Sequence, residues 1–251
     1  MRKYNLIIAM ILSFFNRNSF GNELLISHDQ IIFNPIKYAQ KEITFNVEIL
    51  GLVDELNELK SYGKLTNLNF DIKINKLRKM EITINGISNQ FNDLNKNLKA
   101  KLTPIIELLF PASLNNFYRG YKLENKNNYV SATDLSYEKP IRESYMTFDK
   151  NSALIENKIK TVQGTQIINF TYANGPSGFK ELLLEKIDRK IIYGPTHLLS
   201  NSTIKYEYVN SKPVPTEFKT EFIFENKENN TNNERVGKLV EVFKITNFKY
   251  N

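Results

Sequence analysis

The chain has 251 residues, of which 41% are hydrophobic, so it can bury the core of a folded domain. It carries 34 basic and 27 acidic residues, a formal net charge of +7, and no cysteine. This mild positive charge does not favour nucleic acid as a partner. The lack of cysteine excludes disulfide bonds, a thiol nucleophile and a cysteine-linked lipid anchor.

The N-terminal residues have the order of a secretory signal peptide. Arg2 and Lys3 form a basic start, an apolar run follows over residues 6–15, and small residues precede a cleavage point after Gly21. The apolar run is shorter than the roughly 20 residues that span a bilayer. We therefore predict that residues 1–21 are a signal peptide and that the rest is a periplasmic or secreted, non-membrane-spanning bacterial protein.

The first part of the remaining chain predicts strands and one short helix. Residues 22–40 show no firm period and are predicted to be a mobile lead-in. Apolar and polar side chains alternate over residues 42–50, 68–74 and 80–85, which predicts three strands with one buried face. Apolar residues recur at helical spacing over residues 52–62, which predicts a helix.

The strongest helical pattern covers residues 88–110. Apolar residues recur every three or four positions, and beyond Pro104 the sequence is apolar almost all round. Proline removes a backbone donor inside a helix, so we predict a kink or restart at Pro104. The polar, asparagine-rich residues 112–140 are predicted to be a loop with one strand near Tyr129.

The last third of the chain predicts a meander of strands. Large apolar or aromatic residues occupy every second position over residues 204–210, 217–225 and 238–250. A few helices covering the apolar face of such strands give an α+β fold, with a curved, mostly antiparallel sheet that is an unclosed barrel. We predict one domain over residues 22–251, with a helical lid near 88–110.

Residues that could carry catalysis or bind a metal do not form a recognisable motif. His28 and His197 are the only histidines, His197 is predicted to lie in a loop, and neither has partners at metal-ligand spacing. No Gly-x-Ser-x-Gly motif or glycine-rich phosphate loop occurs. We therefore expect no catalytic residue, no metal and no cofactor, with a hydrolase as the less favoured alternative.

The best candidate site is an apolar face shared by the strands and the lid helix. It predicts either a filled core or a cavity for an apolar ligand. The candidate lining residues are Phe170, Tyr172, Tyr206, Tyr208, Phe218, Phe222, Phe224, Phe243, Leu98, Leu102, Ile105 and Leu109. Two basic clusters are either ordinary surface or contacts to anionic lipid headgroups. Their members are Lys76, Arg78, Lys79, Lys96, Lys99 and Lys101.

Three stretches, Ile204–Tyr208, Lys212–Phe218 and Val242–Asn251, follow the signal peptide, strands and lid-like helix in that order. In this order and in these phrases, mainly over residues 140–251, the chain resembles the LolA/LolB-like lipoprotein-localisation carriers. Those are exported bacterial proteins in which helices cover an apolar, acyl-chain-binding cavity of a curved sheet.

The resemblance implies non-catalytic binding of a lipid or a lipoprotein acyl chain, with an envelope protein as a further partner. It does not assign the family's lipid-handling arginine to one of Arg119, Arg142 and Arg189. The alternative function is a periplasmic protein-interaction or envelope-structural module with a filled core.

Overall fold

A computed structural model describes residues 23–59, 61–88, 90–226 and 234–251. The predicted signal peptide lies outside these ranges. Twelve strands form one antiparallel sheet, and four α-helices and one 3-10 turn accompany it within the described ranges. The predicted α+β class is confirmed.

The strands are numbered in chain order. They are β1 Glu42–Ile49, β2 Asn69–Asn75, β3 Met80–Asn85, β4 Lys122–Lys126, β5 Tyr129–Thr133, β6 Ile141–Phe148, β7 Leu154–Thr161, β8 Thr165–Asn174, β9 Leu182–Tyr193, β10 Thr196–Val209, β11 Lys212–Asn226 and β12 Glu234–Tyr250. The helices are α1 (residues 23–31), α2 Leu52–Glu58, α3 Asn92–Leu109 and α4 Leu114–Phe117, and the 3-10 turn is Pro35–Tyr38.

The sheet order is β3-β2-β1-β12-β11-β10-β9-β8-β7-β6-β5-β4. Strands that are neighbours in the sheet are neighbours in the chain, except that β1 pairs with β12. Among the described strands, β3 and β4 each have one neighbour, so this sheet has two edges and is not closed into a barrel. The prediction of an unclosed, antiparallel sheet is confirmed.

The chain divides into two compact units. The first contains the described parts of Met1–Phe33, Ala112–Asn201 and Phe222–Lys238, and the second contains Asn34–Pro111, Ser202–Glu221 and Leu239–Asn251. The first unit therefore holds α1, α4 and β4 to β9, and the second holds α2, α3 and β1 to β3. The strands β10, β11 and β12 contribute segments to both units.

The core of the second unit lies between α3 and one face of the sheet. Every second residue of β1 is buried, as the alternating sequence predicts. The ring of Phe110, directly after α3, stacks on Phe45 of β1 at 5.6 Å between ring centroids and on Phe248 of β12 at 6.3 Å. Lys101 of α3 also forms a 2.6 Å ion pair with Glu241 of β12. These contacts place α3 over β1 and β12.

The helix α3 runs through Pro104 as one element, so of the two predicted alternatives, a kink or a restart, the restart does not occur. Its buried residues, Leu98, Leu102, Ile106 and Leu109, lie on both sides of the proline. Proline costs the helix one backbone hydrogen bond, and burial of this continuous stripe outweighs that loss.

The helix α1 contradicts the prediction of a mobile lead-in. Leu25, His28 and Ile32 recur at helical spacing and are all buried. His28 Nδ1 accepts a hydrogen bond from the backbone N–H of Leu154 at 3.1 Å. The Asp29 carboxylate accepts the N–H of Leu114 at 2.8 Å and so caps α4. The sequence pattern did not predict this helix, because a histidine and an aspartate stand among the apolar residues of its contact face.

The predicted loop over residues 112–140 is mostly wrong, because it holds α4, β4 and β5. Tyr118, at the end of α4, is buried, and its hydroxyl is 2.7 Å from Ser144 Oγ. Ser144 donates to Asn157 Oδ1 at 2.7 Å, and Asn157 Nδ2 donates back to the tyrosine oxygen at 3.2 Å. This closed ring satisfies three buried polar groups inside an apolar core. That core contains Leu25, Val130, Ala132, Met146, Phe148 and Leu154.

Candidate functional site

Five of the predicted lining residues are almost completely buried in the second unit. Leu98, Leu102 and Leu109 lie on the buried side of α3, and Phe218 and Phe243 lie on β11 and β12. The rings of the two phenylalanines meet edge to face at 6.0 Å, and Leu102 and Phe243 are 0% exposed. Side chains buried to this extent form a filled core.

The other predicted residues of α3, β10 and β11 are more accessible. Ile105, Tyr206 and Phe222 are half-buried. Burial, followed by the proximity of other tyrosines, raises the pKa of the Tyr206 hydroxyl, which keeps it neutral. Tyr208 and Phe224 are 44% and 42% exposed, so they lie on the surface.

Phe170 and Tyr172 lie on β8 in the first unit. Phe170 is half-buried and packs against the core that α1 covers. The Tyr172 hydroxyl donates to the backbone carbonyl of Leu154 at 3.1 Å, and burial raises its pKa. The Tyr172 ring lies edge to face against His28 of α1, at 6.4 Å between ring centroids, so both side chains face the core that α1 covers. The chain thus divides the predicted lining residues between two units.

The register of β8 and β9 shows what surrounds Phe170. Phe170 pairs with Ile187, Ile168 pairs with Arg189, and Gln166 pairs with Ile191. Directly paired residues of antiparallel strands share a face. We call the set Gln166, Ile168, Phe170, Ile187, Arg189 and Ile191 the Arg189 face. Ile168 and Ile187 are buried, whereas the other four are half-buried, so this apolar surface stays partly accessible.

Arg189 is the chemically unusual member of this face. Its Nε is shielded from solvent and has no hydrogen-bond partner in the described parts of the chain. Burial lowers the pKa of its guanidinium. The adjacent Asp188 points to the opposite face and forms a 2.9 Å ion pair with Lys186. A partly buried guanidinium without a carboxylate partner is suited to bind an anion.

The other two uncommitted arginines have different surroundings. Arg142 lies 3.5 Å from Asp134 and 5.6 Å from the ring of Tyr137. The Ser136 hydroxyl and backbone N–H groups hold the pKa of Asp134 at about 2, so this carboxylate remains ionised. Arg119 is exposed beside a surface groove. Only Arg189 combines an apolar environment with an unsatisfied donor.

The sequence left Arg189 as one of three uncommitted arginines, because a single strand does not show which side chains of its neighbouring strand surround it. Its neighbours come from β8, and their pairing is shifted by an irregularity beside Thr171 and Tyr172. The signal available in the sequence was one arginine between the isoleucines of β9. His197 was predicted to lie in a loop, and this is wrong because it is a buried residue of β10.

The predicted basic clusters are partly structural. Lys101 is paired with Glu241, and Arg78 donates to the carbonyls of Phe110 and Pro111 at 2.8 and 2.5 Å. In contrast, Lys96 and Lys99 are exposed and line a groove between α3 and β3.

Metal ligands and membrane-spanning helices were sought throughout the described ranges. Those ranges contain no group of three or more His, Asp or Glu side chains that could hold a metal ion. Among the helices of the described residues, none combines the length and apolarity needed to cross a membrane. Comparisons with protein-family models, curated proteins and solved structures find no match to this chain.

Proposed function

We propose that this chain is an exported, non-catalytic protein that binds a lipid or a lipoprotein acyl chain at the Arg189 face. The observation that carries the proposal is the partly buried Arg189 guanidinium, whose Nε has no partner in the described residues and which lies among buried and half-buried apolar side chains. A molecule with an anionic group and a hydrocarbon chain complements both features.

The Arg189 face offers two contributions to binding such a molecule. A carboxylate or phosphate would pair with the guanidinium in surroundings that water reaches poorly, where charged hydrogen bonds are strong. The hydrocarbon chain would cover Phe170 and Ile191, and each buried methylene contributes about 0.8 kcal/mol. The site lies in the first unit, so binding there does not require α3 to open as a lid.

Export to a bacterial periplasm is part of the same proposal. It is supported by the order of charge and apolarity in residues 1–21 and by the lack of cysteine. The resemblance to lipoprotein-localisation carriers supports an acyl chain as the ligand. In this proposal Arg189 takes the lipid-handling position that the sequence left open among three arginines.

A protein-interaction module with a filled core is the second candidate function. The complete burial of Leu102 and Phe243 favours it, since these residues were predicted to line a cavity. A module of this kind would carry no bound lipid, which separates the two functions experimentally.

The first test is native mass spectrometry and organic extraction of the protein expressed with its own N terminus in a bacterium. We expect a co-purifying lipid. A fluorescent fatty acid should then bind wild type and Arg119→Met equally, and Arg189→Met at least tenfold more weakly. Arg119→Met is the matched control because it removes the same charge from an exposed position. The neutral methyl ester should bind all three proteins with similar affinity.

Two results would contradict the proposal. A clean mass without lipid, together with no uptake of the fatty acid, would favour the interaction module. Equal fatty-acid affinity of wild type and Arg189→Met would place any lipid away from the Arg189 face.

A further inference from the structure

The strand β3 is an unfinished edge of the sheet. It pairs with β2, from the pair Ile74 and Met80 to the pair Asn69 and Asn85, and none of the described residues forms a strand on its other side. Phe70, Ile72 and Ile74 of β2 are buried, whereas their partners on β3 are half-buried. Those partners are Met80, Ile82 and Ile84. On this side of β3, the described part of the chain supplies no strand to cover the apolar side chains or to pair with the backbone N–H and C=O groups.

The other edge of the sheet is protected against strand addition. The strand β4 places Lys122, Glu124 and Lys126 at alternate positions, and Lys122 and Glu124 form a 2.6 Å ion pair. Charged residues on an edge strand discourage pairing with another chain. In β3, Glu81 is the only charged residue. The two edges thus differ in the feature that controls strand addition.

A groove of about 330 Å³ runs beside β3, between Thr83 and Ile84 on one side and α3 on the other. The α3 side presents Asn92, Asn95, Lys96 and Lys99. Within the described ranges, neither lysine forms an ion pair, and the buried Oδ1 of Asn95 has no donor. The groove therefore offers positive charge next to the open backbone edge.

We propose that the β3 edge binds an extended, acidic segment of a partner protein as an additional strand. Backbone hydrogen bonds to β3 supply affinity in this mode, and side-chain contacts supply specificity. Apolar side chains of the segment would cover Met80 and Ile82, and carboxylates beside Ile84 would meet Lys96 and Lys99. This binding is independent of a lipid at the Arg189 face.

The charge of the groove argues against a second copy of this chain as the occupant. In an antiparallel pairing of two β3 edges, the Ile84 end beside Lys96 and Lys99 would meet the Met80 end of the second copy, which the exposed Lys79 precedes, and like charges repel. An acidic partner removes this repulsion and neutralises both lysines.

The probe is a labelled peptide in which Val alternates with Thr, with a pair of Glu residues at each end. Its counterpart carries Lys in place of Glu. Fluorescence anisotropy should show binding of the acidic peptide alone. Hydrogen exchange of the full chain should show new protection of the amides of Met80–Asn85 when the acidic peptide is bound.

Charge reversal tests the selectivity of the groove. The double variant Lys96→Glu/Lys99→Glu should bind the acidic peptide about tenfold more weakly, because two attractive pairs become repulsive. Its control is Lys126→Glu/Lys150→Glu, which makes the same charge change at exposed positions of the first unit and should bind as wild type does. All of these positions are on the surface, so each variant is expected to fold.

Four outcomes would overturn the proposal. They are equal binding of the acidic and basic peptides, protection that maps away from β3, an unchanged affinity of the groove variant, and a failure of the acidic peptide to bind. Sedimentation that shows a dimer with β3 protected would assign the edge to a second copy. Binding to phosphatidylglycerol vesicles that needs Lys96 and Lys99, without peptide binding, would assign the groove to lipid headgroups.

Discussion

The apolar core beneath α3 and the Arg189 face are built from similar residues but differ in how completely they are covered. Beneath α3, Leu102 and Phe243 are fully buried. On the Arg189 face, Phe170 and Ile191 remain half-buried around a guanidinium whose Nε has no partner in the described residues. An alternating aromatic strand is therefore not sufficient to mark a binding cavity. Incomplete cover and an unsatisfied polar group distinguish a candidate site from a core.

The largest effect should come from opening the core beneath α3. Leu102→Ala should lower the free energy of unfolding by about 2–5 kcal/mol, because it leaves a cavity in a filled region. Phe170→Ala should lower it by less, since that side chain is already partly exposed, but should weaken fatty-acid binding. Urea unfolding and the fluorescent binding assay measure both quantities. A larger loss of stability for Phe170→Ala than for Leu102→Ala would show that the Arg189 face is packed more completely than the core beneath α3.

A smaller effect should come from the ion pairs of Glu217 on β11 with Lys205 on β10 and Lys244 on β12. The Glu217 carboxylate is buried and accepts hydrogen bonds from Lys205, at 2.8 Å, and Lys244. These ammonium groups lower its pKa from the ordinary 4.5 to about 2. The folded protein therefore gains stability from Glu217 above pH 4.5 and loses it as the pH falls toward 2.

Glu217→Gln should lower the free energy of unfolding by about 1–2 kcal/mol at neutral pH. In this variant the free energy of unfolding should also decrease less between pH 4.5 and about 2. Thermal unfolding of both proteins as a function of pH measures this. Glu207→Gln, at an exposed position of β10, is the control and should keep the acid dependence of wild type. If Glu217→Gln lost stability with falling pH to the same extent as wild type, the ion pairs of Glu217 would not stabilise β10 to β12.

The smallest change in stability is expected at the Arg189 face itself. Arg189→Met should leave the free energy of unfolding within about 1 kcal/mol of wild type or raise it, because it replaces an unpaired, partly buried charge by an apolar side chain. Urea unfolding of Arg189→Met and of the exposed control Arg119→Met provides the measurement. A clear loss of stability in Arg189→Met alone would show that the guanidinium supports the fold and would weaken its assignment to a ligand.

The sequence predicted the elements whose period is long and regular. The strand β1 and the helix α3 are examples, since a single buried stripe defines each. The helix α1 was missed because His28 occupies a core position. The polar strand β4 was missed because it is an edge strand whose alternate residues are charged.

Alternation in the sequence does not predict the face on which a strand residue lies once a bulge has shifted the register of the strand. Asn247 in β12 has a φ of 54°, and the register of β12 with β1 shifts beside it. Phe248 therefore returns to the face of Phe243 although the two are five positions apart, which its stacking on Phe45 confirms. The candidate site depends in the same way on the register of β8 with β9, which a single sequence does not reveal.

The pairing of β1 with β12 constrains the order in which the chain can fold. The side chains of Asn46 and Asn247 are hydrogen-bonded at 2.7 Å across 201 positions of sequence. Closing so long a loop is slow compared with forming the neighbouring hairpins. During synthesis from the N terminus, β1, β2 and β3 must therefore wait for β12 before the second unit is complete. In this interval their apolar face would be open to chaperones and proteases.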